Sequence, residues 1–123
     1  MATLFLDDNK ERIKKIKNSV PYTITIVTTT EACISKLEED EWDLVFLDHD
    51  LNGEVYVDSD RKDCGMEVVR WIIKNQPIIR NIIIHTHNTE AGLLMLKQLQ
   101  SAKYKANYIP FDNLISQLTG DKK

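Results

Sequence analysis

One stretch of this sequence restricts the possible folds more than any other: an apolar run that ends abruptly in three polar residues. Residues 44–47 read Leu-Val-Phe-Leu, and Asp48, His49 and Asp50 follow directly. A short run of large apolar side chains flanked by charge is typical of a strand buried on both faces of a parallel sheet. Asp and His are also ordinary loop residues. Three such residues in a row at the carboxyl end of a strand, where open parallel sheets bind ligands, nevertheless indicate a site.

The rest of the chain alternates between strand and helix patterns. The predicted strands are 3–6, 22–27, 44–47, 81–84 and 105–109, and the predicted helices are about 9–19, 30–39, 65–75, 89–102 and 112–118. Such alternation predicts an α/β fold in which helices cover both faces of a parallel sheet. For five strands we expect the flavodoxin-like order 2-1-3-4-5, in one domain that spans residues 1–123.

Capping residues and apolar stripes predict how the helices begin and which faces they bury. The predicted N-caps are Asp8 or Asn9, Thr29 or Thr30, Asp63, Thr89, and Asp112. In the fourth helix the leucines at 93, 94, 96 and 99 are expected to face the core.

The expected strand order brings three separate stretches to one edge of the sheet. The first strand runs into Asp7 and Asp8, the third into Asp48 to Asp50, and the fourth into His85 and His87. Several carboxylates at close range raise one another's pKa unless a cation neutralises them. We therefore predict a divalent metal: magnesium suits the carboxylates, and the imidazoles extend the choice to manganese, iron or zinc. His85 and His87 are equally well explained as packing or capping residues, and Asp8 can cap a helix as well as bind a metal.

The connection from Asp48 to Asp63 is long and acidic. Val-Tyr-Val at 55–57 favours an ordered flap, and the 51–63 segment has the length of a lid. Arg61 and Lys62 could meet a phosphate there, although exposed loop cations often do nothing. Neither a glycine-rich phosphate cradle nor a Ser/His/Asp arrangement is visible in the sequence.

Charge and cysteine content exclude several classes of protein. The net charge is −3 with no basic face, which argues against binding to a nucleic-acid backbone. Cys33 and Cys64 have no spacing that indicates a zinc knuckle or a disulfide scaffold. We see no signal peptide and no stretch as long as a membrane span, so we expect a cytoplasmic protein with no membrane partner.

The paired acids Asp7 and Asp8, with Asp48 after the third strand, resemble a response-regulator receiver domain. The resemblance implies a magnesium site at the acidic pair and makes Asp48 the equivalent of the phosphate-accepting aspartate. Thr86 falls near the family's Thr/Ser at the end of the fourth strand. Ile109 stands where receivers have a lysine that contacts the phosphoryl group.

The chain is more similar to the cyclic-phosphate-processing receiver domains of phage and bacterial genomes. Four of their motifs occur in order: Leu-Phe-Leu-Asp-Asp at 4–8, Leu-Asp-His-Asp-Leu at 47–51, Tyr-Val-Asp-Ser-Asp-Arg at 56–61 and Ile-His-Thr-His-Asn at 84–88. The resemblance implies a receiver fold with a metal-dependent site that acts on cyclic phosphates.

We therefore expect a metal-dependent phosphohydrolase that opens an RNA 2′,3′-cyclic phosphate or a cyclic nucleotide. Each candidate side chain has an expected role. Asp7, Asp8 and Asp48 would hold magnesium, manganese or zinc, Asp50 and His49 would complete the shell or activate water, His85 or His87 would protonate the leaving oxygen, and Asn88 would orient the substrate. Attack by Asp48 itself stays open.

Two other functions also remain open. One is a phospho-acceptor or pseudo-receiver signalling module without turnover, and the other is a protein that sequesters a cyclic nucleotide or a partner protein. A homodimer is possible in every case.

Overall fold

The computed structural model describes residues 2–51 and 57–119. Val55 and Tyr56 of the expected flap, and much of the expected 51–63 lid, lie outside the described residues. Five strands alternate with five helices: β1 Thr3–Leu6, α1 Lys10–Ser19, β2 Thr25–Val27, α2 Thr30–Glu39, β3 Trp42–Leu47, α3 Gly65–Asn75, β4 Ile79–Ile84, α4 Thr89–Ser101, β5 Ala106–Tyr108 and α5 Phe111–Thr119.

The five strands form one parallel sheet in the order β2-β1-β3-β4-β5, so the predicted fold class and strand order are confirmed. The apolar side chains make two cores, one on each face of the sheet. The larger core contains Val45 and Leu47 of β3 with residues of α2, α3 and α4. The smaller core contains Phe5 and Phe46 with Ile16 of α1 and Phe111 of α5. Among the described helices, none is both long and apolar enough to cross a membrane.

The sheet's hydrogen bonding continues one residue past the strands and aligns their carboxyl ends. The backbone N–H of Asp7 donates to Val27 O at 3.1 Å, and that of Asp48 donates to Leu6 O at 3.2 Å. In the same way, His85 N–H donates to Leu47 O at 3.0 Å. Asp7, Asp48 and His85 directly follow three adjacent strands and therefore lie together at one edge of the sheet.

The edge strands are shorter than the sequence pattern predicted, β3 and β4 are longer, and β1 has the predicted bounds. β2 begins at Thr25 rather than Tyr22, because β1 is its only partner and pairs with it from Leu4↔Thr25 onward. β5 is limited to 106–108 in the same way, with β4 as its one partner. β3 and β4 pair with each other already at Trp42↔Ile79, two residues before the predicted start of each strand.

Three of the predicted N-caps were wrong. Cys64, not Asp63, is the N-cap of α3 and makes no side-chain capping bond, while the Asp63 carboxylate pairs with Arg61. Asn88, not Thr89, caps α4: its side-chain oxygen accepts from the Ala91 N–H at 3.2 Å. Helix α5 begins at Phe111, which puts Asp112 in the first turn. Asn9 and Thr29 cap α1 and α2, in agreement with one of the two alternatives given for each.

The predicted inner face of α4 was right for two of its four leucines. Leu99 is buried and Leu96 packs partly buried against the larger core, whereas Leu93 and Leu94 are 51% and 42% exposed. Ala91, Gly92 and Met95 form the rest of the buried face. Gly92 lies so close to β5 that an added Cβ would be 2.8 Å from the ring of Tyr108, and this close packing orients the helix.

Candidate functional site

The acidic centre, as we call Asp7, Arg12, Asp48 and His85, lies where β1, β3 and β4 end. Asp7, Asp48 and His85 are buried, and each offers one ligand atom within 4.8 Å of the others. The His85 Nε2 atom is 3.0 Å from Asp7 Oδ2. The His85 ring is stacked on Phe5, with the ring centroids 4.8 Å apart and 9° between the planes. Packing from the smaller core therefore holds the imidazole against the carboxylate.

Arg12 is the residue of this centre that sequence reasoning missed. Its Nε and Nη2 atoms donate to the two Asp7 oxygens at 2.7 and 3.0 Å, and Nη2 also reaches Asp48 Oδ2 at 3.4 Å. Arg12 stands one helical turn before the fully buried Ile16. Because residues four apart share a face of a helix, that spacing could have identified Arg12 as an inward-facing cation.

The two carboxylates of the acidic centre have opposite pKa shifts. Burial raises the pKa of Asp7, but hydrogen bonds from His85 and Arg12 outweigh burial and hold that pKa well below its ordinary value. Burial raises the pKa of Asp48 to about 6, with opposition from the charges of His85 and Arg12 and a further contribution from Asp7. The single guanidinium therefore stabilises the charge on Asp7 much more than the charge on Asp48.

The loop bridge, as we call His49, Asp50, Ser59 and Asn88, lies beside the acidic centre. Asp50 Oδ1 is 2.7 Å from His49 Nδ1 and accepts from the Val57 N–H at 3.0 Å and from Asn88 Nδ2 at 3.3 Å. On its other side, the His49 ring has Nε2 at 3.0 Å from Ser59 Oγ. One carboxylate thereby ties together the loop after β3, the segment from Val57 and the start of α4.

The His49 side chain is completely enclosed, and its surroundings change its acidity. Burial lowers the pKa of His49, but hydrogen bonds to Cys64 and Asp50 outweigh burial and raise that pKa overall. Burial raises the pKa of the Cys64 thiol, but hydrogen bonds with His49 and with the backbone of Met66 outweigh burial and lower that pKa overall. The sequence showed no Ser/His/Asp arrangement because Ser59 is ten residues from His49, yet the folded chain contains one.

The structure brings some of the predicted site residues together and separates others. Asp7, Asp48 and His85 converge in the acidic centre, and His49, Asp50 and Asn88 converge in the loop bridge. Asp8 is half-buried beside Asp7, and His87 is exposed at the start of the loop that leads into α4. Arg61 pairs with Asp63 at 2.6 Å, with both side chains well exposed, and Lys62 is exposed beside them.

Gly65 fixes the backbone of both regions. Its N–H donates to His49 O at 2.8 Å. A Cβ atom on Gly65 would lie 1.8 Å from Asp48 O, which is closer than any real contact. Only glycine allows the start of α3 to pack directly against the turn that carries Asp48 and His49.

Comparisons with known proteins agree with this architecture. The sequence model of a family described as "Cyclic-phosphate processing Receiver domain" matches residues 2–101. No curated protein sequence matches the chain.

Twelve chains of solved structures match this chain, and two of them illustrate the shared fold. A CheY-like response regulator receiver domain protein from Methanospirillum hungatei JF-1 has a TM-score of 0.63 and 16% identity, with 98% of this chain and 91% of that chain covered. The signal receiver domain of a putative Luxo repressor protein from Vibrio parahaemolyticus has a TM-score of 0.60 and 20% identity, with 98% and 93% covered.

Proposed function

The chain belongs to the cyclic-phosphate processing receiver domain family, and on that premise we propose that it is a metal-dependent phosphohydrolase that opens a cyclic phosphodiester. The substrate would be an RNA 2′,3′-cyclic phosphate end or a cyclic nucleotide, met in the cytoplasm. The observation that carries the proposal is the buried group of two carboxylates and one imidazole in the acidic centre.

The residues of the acidic centre fit a divalent cation. Asp7 and Asp48 offer carboxylate oxygens and His85 offers a ring nitrogen, all within 4.8 Å. Oxygen ligands suit magnesium or manganese, and the imidazole adds zinc to the candidates. A bound cation would polarise a phosphoryl oxygen of the substrate. Asp8, next to Asp7, is the further carboxylate that we assign to the cation.

In this proposal, Arg12 provides the positive charge that a lysine provides in receiver domains, where it contacts the phosphoryl group. Ile109 occupies the position of that lysine and packs against the smaller core, so it cannot contact a phosphate through charge. Arg12 is the cation whose contacts reach both carboxylates, and its side chain is 26% exposed. Because a guanidinium pairs with phosphate oxygens in a bidentate manner, we assign Arg12 to binding the substrate's phosphate.

Proton transfer to the leaving ribose oxygen falls to His87 in this proposal. Histidine is the side chain that most often acts as a general acid. His85 is 1% exposed and its ring is held between Asp7 and Phe5, whereas His87 is exposed. Asn88 and Asp50 would hold the rim through their mutual hydrogen bond.

The test is turnover of 2′,3′-cyclic nucleotides, 3′,5′-cyclic nucleotides and cyclic dinucleotides by the purified protein. Magnesium, manganese and zinc are supplied separately, with chelator as the control. We expect metal-dependent product with the wild type, at least about 100-fold less with Asp48→Asn, and a raised KM with Arg12→Lys. Binding of the metal by folded protein without product from any substrate would overturn the proposal.

A phospho-acceptor module is the second candidate, because Asp48 follows β3 at the edge of a receiver fold. That function needs Asp48 to accept a phosphoryl group, yet it gives no role to His85. Incubation with acetyl phosphate would then add one phosphate to the mass of the protein, and Asp48→Asn would prevent it. The same protein would turn over no cyclic phosphate.

A further inference from the structure

Three side chains of the loop bridge form a continuous chain of hydrogen bonds from a carboxylate to a hydroxyl. His49 Nδ1 is 2.7 Å from Asp50 Oδ1, and His49 Nε2 is 3.0 Å from Ser59 Oγ. Because a carboxylate only accepts hydrogen bonds, Asp50 holds the ring proton on Nδ1 and leaves the Nε2 lone pair facing the Ser59 hydroxyl. We propose that Ser59 is a nucleophile, activated by His49 and oriented through Asp50, in a second site that acts on carboxylic esters without a metal.

The members of this chain are held in place from both sides. Asp50 Oδ1 also accepts from the Val57 N–H and from Asn88 Nδ2, two groups that can only donate. The guanidinium of Arg70 donates to Ser59 O and to Arg61 O, each at 2.7 Å, and pairs with Glu67 on its own helix. The backbone of Ser59 is therefore anchored to α3. An activated nucleophile requires this kind of fixed geometry.

The base is shielded and the nucleophile is accessible. The His49 side chain has no solvent exposure, whereas Ser59 is only half-buried. Cys64 also interacts with His49, but its thiol is fully buried and points at backbone carbonyls of the same loop. Ser59 is therefore the group that a reagent in solvent would meet.

Ser59 opens into a cavity of about 690 Å³ between the 57–59 segment and the start of α4. Among the described residues of its wall, Val57, Ala91 and Leu94 are apolar and Asp58 and Glu90 are charged. None of these described lining residues is Lys, Arg or His. A phosphate anion is disfavoured beside two carboxylates, whereas a neutral ester with a small apolar acyl group fits this wall. The chemistry of the cavity therefore points to an acyl group rather than a phosphoryl group.

The proposed reaction has two balanced steps. Ser59 Oγ bonds to the acyl carbon while its proton moves to His49 Nε2, and His49 gives that proton to the departing alcohol as the ester C–O bond breaks. Water then attacks the acyl-serine with His49 taking its proton, and the proton returns to Ser59 as the carboxylic acid leaves. The sum is ester plus water to acid plus alcohol.

The second site uses no side chain of the acidic centre, although Asp50 also holds the rim in the proposed function, so dependence on metal is what separates the two proposals. The second site is expected to react in the presence of chelator, and a protein without phosphohydrolase activity would still contain the activated serine. Conversely, turnover of cyclic phosphates by the Ser59→Ala variant would be compatible with the proposed function.

The experiment uses the whole chain in chelator with a fluorophosphonate probe, followed by p-nitrophenyl acetate. We expect one probe adduct per chain, located on Ser59 by peptide mass spectrometry and absent in Ser59→Ala. Ser35→Ala, a change of an exposed serine on α2, is the matched control and should label at the wild-type rate. Hydrolysis of p-nitrophenyl acetate should lose at least about 10-fold in kcat in His49→Gln, with KM unchanged.

Loss of the fold could imitate loss of reactivity in His49→Gln, because His49 is buried. Asp50→Asn keeps the volume of the side chain, and its circular dichroism is recorded beside its labelling. A folded Asp50→Asn protein that labels at least about 10-fold more slowly supports the proposal. Labelling of Ser59 at the wild-type rate in folded Asp50→Asn, or an adduct on any residue other than Ser59, would overturn it.

Discussion

The acidic centre and the loop bridge both begin at the carboxyl end of β3, yet they are stabilised in different ways. In the acidic centre, two buried carboxylates share one guanidinium and one imidazole, and Asp48 is left with a pKa of about 6. In the loop bridge, Asp50 Oδ1 lies within hydrogen-bond distance of His49 Nδ1, the Val57 N–H and Asn88 Nδ2. The acidic centre therefore holds two carboxylates against one guanidinium, a shortage of positive charge that the proposed metal would relieve, whereas the loop bridge stabilises its carboxylate with hydrogen bonds between loops. Substitutions in the two regions should therefore change stability in different directions.

The largest effect is expected from Gly65→Ala, which disturbs both regions at once. The added Cβ would lie 1.8 Å from Asp48 O and 2.9 Å from His49 Cα, both of them backbone atoms that no side-chain movement can relieve. We expect the free energy of unfolding to fall by about 3 kcal/mol or more, measured by urea denaturation. Gly92→Ala is the matched control, because its Cβ would meet the ring of Tyr108, which can move. Equal losses in the two variants would contradict the close packing of α3 on this turn.

Asp7→Asn is expected to have an effect of the same size as Asp48→Asn but to destabilise the fold, and it changes the acidic centre alone. The change removes the charged partner of Arg12 and His85, and charge-assisted hydrogen bonds contribute more than neutral ones. Since Arg12 is partly exposed, we expect a loss of about 1–2 kcal/mol at pH 7. The pKa of Asp7 is lowered by folding, so its contribution is present at neutral pH and is lost on acidification. The difference between wild type and variant should shrink as the pH is lowered from 5 towards 2.

Asp48→Asn should instead increase the free energy of unfolding. Folding raises the pKa of Asp48 from 3.8 to about 6, so the folded state binds its proton more tightly than the unfolded state. The stability that this proton provides is present below pH 4 and is lost as the pH rises through 6. Without metal at pH 7.5, we therefore expect Asp48→Asn to be more stable than wild type by about 2 kcal/mol.

Divalent cations provide the second measurement on Asp48→Asn. Added magnesium, manganese or zinc should raise the Tm of the wild type by binding the folded state, and chelator should reverse the change. The variant should show a much smaller rise. A wild type that is more stable than Asp48→Asn in chelator would contradict the raised pKa of Asp48, because the charged carboxylate would then not destabilise the folded state.

The smallest effect is expected in the loop bridge, from Asn88. Asn88→Ala removes the cap of α4 and should cost about 1 kcal/mol in urea denaturation. Asn88→Ser keeps a capping oxygen and removes only the donor to Asp50, whose 3.3 Å bond is long. That variant should lose about 0.5 kcal/mol or less, with no dependence on added metal. A metal-dependent loss would show that the two regions are coupled.

The sequence predicted the fold well and the composition of the site only partly. Alternating strand and helix patterns, with an apolar run ending at Asp48, were enough for the α/β class and the order 2-1-3-4-5. The same order correctly brought Asp7, Asp48 and His85 to one edge. It did not reveal that Asp63 would pair with Arg61 instead of capping α3, because that choice depends on the path of the preceding loop.

The sequence alone was enough to predict the strands and helices and the strand ends that lie at one edge of the sheet. This was possible because the spacing of apolar residues along the chain differs between strands and helices. What only the tertiary structure decided is which side chains from different elements meet. Arg12 reaches Asp7 and Asp48 because α1 begins immediately after β1 and turns one face inward. Ser59 meets His49 because Gly65 packs against the turn after β3 and Arg70 anchors the loop. Such contacts depend on close packing between elements, so the pattern of residues within one strand or helix cannot predict them.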